Sequence, residues 1–163
     1  MTASIAVLDI SLYALSQSEN LLRTCQDIDQ TKIFFVEGDA LNMPFPNGHF
    51  DWIETDFFIQ FFSAQEKVTL LKEWYRVLKP GGIVTTRDWL QQKHNFIERI
   101  IDRTRIWLIW HILGPIAYST SAQELKKILK EIGFEAAIFP VKVPVINLKI
   151  PMMYYIILYK PYG

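Results

Sequence analysis

The sequence predicts an α/β protein, a sandwich of helices around a largely parallel sheet. Three observations predict it. Strand-length apolar runs alternate with stretches of helical periodicity through most of the chain. Two helices open with the same Ser-x-x-Glu punctuation, at Ser63 and Ser121. Two strand-like runs near the C-terminus have only a proline-containing loop between them, which implies an antiparallel hairpin at the sheet edge.

Ser4 to Leu8 is a short apolar run ending before Asp9, and Leu12 to Cys25 reads as the first helix. Lys32 to Val36 and Phe50 to Thr55 are β-branched and aromatic, as strands require. Ser63 and Glu66 then form a capping box, each side chain satisfying a backbone N–H of the first turn. Val68, Leu71, Trp74, Tyr75 and Leu78 recur at helical spacing and predict one buried face. Lys79-Pro80-Gly81-Gly82 stops that helix and leads into a strand from Ile83 to Arg87. Leu90 to Leu113 reads as a long helix broken at Gly114-Pro115. Ser121 and Glu124 repeat the capping box ahead of Leu125, Ile128, Leu129 and Ile132, and Gly133 ends the helix. Glu135 to Val141 and Met153 to Lys160 are the late strands.

A chain of 163 residues and 19.1 kDa suits one domain, 1–163. Half the residues are hydrophobic and 21% are charged, a balance that excludes intrinsic disorder. The 17 basic and 17 acidic side chains cancel, so no general field favours nucleic acid. The single Cys25 allows neither an internal disulfide nor a cysteine zinc site, and it reads as a small apolar filler. The start, Met1 to Leu8, has no basic residue and no long apolar run of a leader. The most apolar window, Ile106 to Tyr118, falls short of the roughly 20 residues of a membrane span. A cytoplasmic location is the expectation.

His49, His94 and His111 lie far apart and form no metal-binding spacing, and no Gly-x-Ser-x-Gly or phosphate-binding loop occurs. The distinctive feature is a series of polar residues at strand ends: Asp9, Asp39, and Thr55 with Asp56. Ligands of open parallel sheets sit at the carboxyl ends of the strands, where a carboxylate can accept both hydroxyls of a ribose. Asp9 and Asp39 equally suit helix or turn caps.

These segments carry a resemblance. Val36-Glu-Gly-Asp-Ala-Leu-Asn-Met-Pro-Phe-Pro-Asn-Gly-His-Phe-Asp-Trp-Ile resembles the "GDA-x-x-LPF-x-x-x-x-FD-x-V" stretch of class I S-adenosylmethionine-dependent methyltransferases. Glu73 to Val84 resembles their "E-x-x-RVLKPGG" turn, Val7-Leu-Asp-Ile-Ser the end of their second strand, and Ser121 to Phe134 their late "ELKKLLEEAGF" helix. The flavour is that of the small-molecule enzymes acting on ubiquinone, menaquinone and tocopherol precursors. The resemblance implies a Rossmann-like sandwich, mostly parallel with an antiparallel C-terminal edge strand. It implies S-adenosylmethionine as cofactor and methyl transfer to a small, apolar or aromatic acceptor. By position, Asp9 would bind the ribose diol, Ile10 would lie against the adenine, Asp39 would accept from the adenine amino group, and the backbone of Ala40 would meet the ring edge. Thr55 would lie beside the methionine portion, while Asp51 and the Lys79–Gly82 turn would be structural.

One departure is large. The family opens with a strand and a glycine-rich loop about twenty residues ahead of the acidic strand end, whereas only eight residues precede Asp9. The expectation is a methyltransferase fold truncated at its N-terminus, with the first strand and glycine loop missing and S-adenosylmethionine bound weakly or not at all. Its sheet would close by pairing Ser4–Leu8 with Phe50–Thr55, or a homodimer or other partner chain would complete it. The competing reading is a noncatalytic remnant or partner module without cofactor. A nicotinamide dehydrogenase fares worse, since it too needs the glycine loop.

No catalytic residue is identified; His49, His94 and Asp88 are base candidates that suit the surface better. In the family the region after the fifth strand covers the acceptor, so Phe96, Ile100, Trp107 and Trp110 are the expected substrate-binding residues. The same aromatic residues would also suit packing on the sheet. Arg99, Arg103 and Arg105 beside them fit peripheral contact with an anionic membrane.

Overall fold

The computed structural model of the chain describes residues 4–91, 120–143 and 148–162. They fall into two units, Met1–Phe45 and Pro46–Gly163. In the first unit β1 (Ile5–Asp9) leads through α1 (Leu12–Arg23) to β2 (Ile33–Glu37). The helix starts where the Ser11 hydroxyl accepts from the Ala14 N–H, which replaces one missing intrahelical acceptor. The helical crossover makes the two strands parallel, in register from Ile5 opposite Ile33 to Asp9 opposite Glu37. These strands form a two-stranded sheet of their own. Each lies one residue later than its periodicity predicts, so Asp9 and Glu37 close the ladder.

The second unit contains β3 (Phe50–Asp56), α2 (Ala64–Val77), β4 (Leu78–Gln91), β5 (Thr120–Ser121), α3 (Ala122–Ile132), β6 (Glu135–Val143) and β7 (Leu148–Tyr159). The strand order is β3-β4-β7-β6, with β5 paired to the end of β4. The β3–β4 and β4–β5 pairs are parallel, and β7 runs antiparallel to both β4 and β6. The expected C-terminal antiparallel hairpin is present, with β6 as its outer strand. β1 and β3 belong to separate sheets, so their direct pairing is not formed.

Both serines cap their helices as the sequence predicts, the hydroxyls of Ser63 and Ser121 accepting from the N–H groups of Glu66 and Glu124. The full reciprocal box forms at Ser63, whereas Ser121 supplies the serine half alone. The Glu66 carboxylate completes the first box by accepting the Ser63 N–H at 2.8 Å, and its pKa is lowered by the Ser63 hydroxyl first and this N–H second. The buried face of α2 differs from the expected one. Lys67, Leu70, Leu71, Trp74 and Val77 point inward, whereas Val68 and Tyr75 are only half-buried. Leu125 and Leu129 of α3 are buried too, as are Val84 and Leu90 of β4 and Ile156 and Leu158 of β7. Each fully buried side chain of this kind contributes about 1.5–3 kcal/mol.

β4 also differs from expectation, because it begins at Leu78 and runs on to Gln91. Gly81 bends it with φ of 79°, and a β-carbon there would meet the Tyr162 ring at 2.2 Å. Leu90 and Gln91 pair with Thr120 and Ser121, so the helix expected from Leu90 does not start there. The rest of that segment, 92–119, lies outside the described residues. No described helix is long and apolar enough to cross a membrane.

Candidate functional site

In the first unit, the parallel register puts Asp9 and the turn after Glu37 at the same, carboxyl, end of the two strands. The Gly38 N–H donates to the Asp9 carbonyl at 3.0 Å and draws the turn against the strand end. A β-carbon at Gly38 would come within 2.9 Å of both Leu8 and Pro44, so only glycine fits this approach.

Asp9 and Asp39 make the same local contact. The Ser11 N–H donates to Asp9 Oδ1 at 2.8 Å, and the Leu41 N–H donates to Asp39 Oδ1 at 2.8 Å. Each aspartate is thus a turn cap through one oxygen and presents Oδ2 without a partner among the described residues. The two sequence readings of these residues are therefore compatible. Ile10 stands 71% exposed between strand and helix, an apolar surface with nothing covering it, and Ala40 is half-buried beside Asp39. Two carboxylate oxygens at the same end of the parallel pair are open to hydroxyl or amino donors.

In the second unit, Thr55 pairs with Thr86 across the β3–β4 ladder, and its hydroxyl oxygen is buried with no partner among the described residues. A polar ligand atom would satisfy it. One step along, Arg87 pairs with Asp56 through both carboxylate oxygens and lies over the rings of Phe57 and Tyr155, at 5.7 Å and 6.0 Å from their centroids. The ion pair raises the Arg87 pKa, the Asp56 hydrogen bond being the main cause. Glu54, Thr55, Asp56, Thr85, Thr86, Arg87 and Tyr155 line an open groove of about 290 Å³.

The segment leaving β3 meets a carboxylate of β4 whose burial the sequence did not reveal. Phe57 adopts φ of 51°, which non-glycine residues rarely take. Asp88, expected at the surface, is 1% exposed because strand alternation turns it inward with Val84, Thr86 and Leu90. Its Oδ2 accepts from the Ile59 N–H at 2.7 Å and its Oδ1 from the Trp89 N–H at 2.8 Å. Burial raises the Asp88 pKa to about 6, opposed by these bonds, by the Gln60 N–H and by the charge of Lys67. Lys67 is itself buried on α2, and its ammonium donates to the Thr120 hydroxyl at 2.6 Å. Its burial depresses its pKa, with Asp88 and Glu124 opposing. The signal available for Lys67 was its position three and four residues before Leu70 and Leu71.

His49 is exposed, with its ring edge-on to Phe50 at 4.7 Å. His94, the expected acceptor residues Phe96, Ile100, Trp107 and Trp110, and Arg99, Arg103 and Arg105 lie outside the described residues.

Residues 1–86 match the family described as Methyltransferase domain. A demethylmenaquinone methyltransferase of Geobacillus sp. (strain WCH70) is 34% identical over 84 residues, which are 49% of this chain and 35% of that protein. The match therefore spans little more than a third of that relative. Among solved structures, a SAM-dependent methyltransferase from Methanosarcina mazei superposes with a TM-score of 0.72 at 21% identity, covering 98% of this chain and 83% of that one. The cyclase SpnF superposes with a TM-score of 0.70 at 16% identity, over 99% of this chain and 67% of that one.

Proposed function

The chain belongs to the methyltransferase domain family, a class I small-molecule group whose cofactor is S-adenosylmethionine, and from that premise we propose that it serves methyl transfer to a small apolar or aromatic acceptor. The observation that carries the proposal is the pair of aspartates at adjacent parallel strand ends, each capping its own turn and each leaving one oxygen open. Asp9 accepts the ribose hydroxyls, Asp39 accepts the adenine amino group, Ile10 covers one face of the base, and the backbone of Ala40 meets its edge. S-adenosylmethionine, when bound, supplies a methyl group on sulfonium that a nucleophile attacks directly. Such a reaction asks the protein for alignment and exclusion of water more than for a fixed catalytic side chain. The demethylmenaquinone methyltransferase relative supports an aromatic ring as acceptor. Thr55 carries a separate argument, since its buried hydroxyl awaits a polar ligand atom.

A second reading rests on one feature of the sequence: none of the seven glycines forms a glycine-rich loop. On that reading these residues act as a partner module without cofactor. Two charge-assisted contacts of about 1.5–3 kcal/mol each sum to about 3–6 kcal/mol before the cost of association, which leaves an affinity for S-adenosylmethionine of about millimolar or weaker. An NMR titration with S-adenosylmethionine separates the readings. Methyl transfer predicts amide shifts at residues 9–11 and 38–41 and at Thr55, those of the first two stretches lost in Asp9→Ala. An unshifted spectrum at about ten millimolar cofactor favours the partner module.

A further inference from the structure

We infer that the outer edge of β3 is an interaction surface for a second copy of this chain, the two β3 strands pairing antiparallel about a two-fold axis at Ile53. The inference concerns assembly and does not rest on the methyl-transfer reading above.

The path β3-β4-β7-β6 leaves β3 and β6 with one neighbouring strand each among the described residues. An edge strand offers its free backbone donors and acceptors to any other strand unless something blunts it. β6 is blunted. Pro140 lacks an N–H, the register shifts between Pro140 and Lys142, and Lys142 adds an exposed charge. β3 has neither proline nor lysine. Two of its three carboxylates are drawn back onto β4, where Asp51 accepts Lys79 Nζ at 2.7 Å and Asp56 pairs with Arg87. Neutralised from their own side, they guard the edge poorly. Trp52 is 55% exposed beside them, its indole N–H held by the Thr85 hydroxyl at 2.8 Å.

Strand alternation fixes which backbone groups face outward. The N–H and C=O of one residue point to one side of a strand, and those of the next residue to the other. The Phe57 N–H, one residue past β3, bonds to the Arg87 carbonyl of β4. Thr55 and Ile53 therefore face β4 too, and the groups of Trp52, Glu54 and Asp56 face outward. Pairing about Ile53 sets Trp52 opposite Glu54 of the second copy, so that each such pair exchanges both outward bonds.

This register uses all seven residues of β3, and in it no carboxylate meets another: Asp51 faces Thr55, and Asp56 faces Phe50. A slip of one residue sets Asp51 against Glu54 or Asp56 and also puts the outward groups out of phase. The strand is thus complementary to itself in charge and in hydrogen bonding at one register. The two Trp52 rings share a face of the joined sheet, on a diagonal of about 7–8 Å that aromatic side chains can span. Each gains cover that the single chain does not give it.

Sedimentation equilibrium of the full chain tests the pairing. The mass is expected to rise from 19.1 kDa towards twice that value as the concentration is raised to about 100 μM. Glu54→Pro removes an outward N–H and spares the bonds to β4, as proline on an edge strand allows. It is expected to weaken self-association by about tenfold or more while urea unfolding stays cooperative. Cross-linking in a Cys25→Ser background reads the register without that variant. Ile53→Cys sets two thiols opposite each other, with α-carbons about 4.5 Å apart, and is expected to form a disulfide-linked dimer in oxidised glutathione. Asp51→Cys sets them about four residues out of step, and is expected to cross-link about tenfold more slowly. A mass that stays at 19.1 kDa assigns the edge to a strand of some other protein and overturns the inference. A dimer indifferent to Glu54→Pro, or equal cross-linking from the two cysteine variants, overturns it as well.

Discussion

At Asp88, desolvation and hydrogen bonding pull in opposite directions. Burial raises the pKa to about 6, whereas three N–H groups and Lys67 act to lower it. An unfolded aspartate titrates near 3.8, so between these two values the folded chain holds more protons than the unfolded one. The contribution of Asp88 to stability is therefore greatest below the unfolded value and is lost as pH rises through about 6, by of order 3 kcal/mol in all. Urea unfolding at about pH 5 and about pH 7.5 should show Asp88→Asn removing about 1 kcal/mol of this acid-side gain. An unchanged pH slope in the variant would assign the titration elsewhere. None of this was legible from the sequence, where Asp88 is one of several polar residues after a glycine turn. Its environment is set by the Ile59 N–H, 29 positions away, and by the Lys67 bond to Thr120, which spans 53. Asp9 and Asp39 were legible because their partners are two residues distant.

The element most dependent on a distant residue is α2. Its N-terminus is closed by its own capping box, but its last turn exposes carbonyls that no internal N–H can reach. Lys160, just beyond β7, donates to the carbonyls of Tyr75 and Leu78, both at 2.7 Å, and lies over the Tyr75 ring at 4.5 Å. Burial lowers its pKa, as expected for an ammonium brought among helix-end carbonyls. Lys160→Met keeps the aliphatic stem and removes both bonds, and it should reduce stability by about 1–3 kcal/mol in urea unfolding. The serine caps that start α2 and α3 could be read from four-residue patterns. The inward face of α2 could not, because a buried lysine at its start breaks the apolar pattern, and the true line runs Lys67-Leu70-Leu71-Trp74-Val77. The last residues of β4 were hidden for a related reason: their partner strand is only two residues long and follows 28 residues later.

Over the whole molecule, burial is unevenly divided. Among its described residues the first unit has Leu15 and Met43 alone in its buried apolar set, and it leaves Ile5, Leu12, Tyr13, Leu21 and Phe34 exposed. A two-stranded parallel sheet with so little cover is weakly held by itself. Hydrogen exchange followed by mass spectrometry should show peptides containing Val7 or Phe35 exchanging well before those containing Leu71 or Leu158. Equal protection would mean that the first unit opens only with the second. The α/β class was readable throughout, since it rests on periodicity, but the division into two sheets depends on strand order, which periodicity does not carry.

The position of β7 has a consequence for the history of each chain. It lies between β4 and β6, although both precede it in the sequence. During synthesis β4 and β6 therefore leave the ribosome without the strand that joins them, each with an open row of backbone donors and acceptors. The second unit cannot complete its sheet while it is still being translated up to β7, and for that interval the nascent chain depends on whatever shields it in the cell.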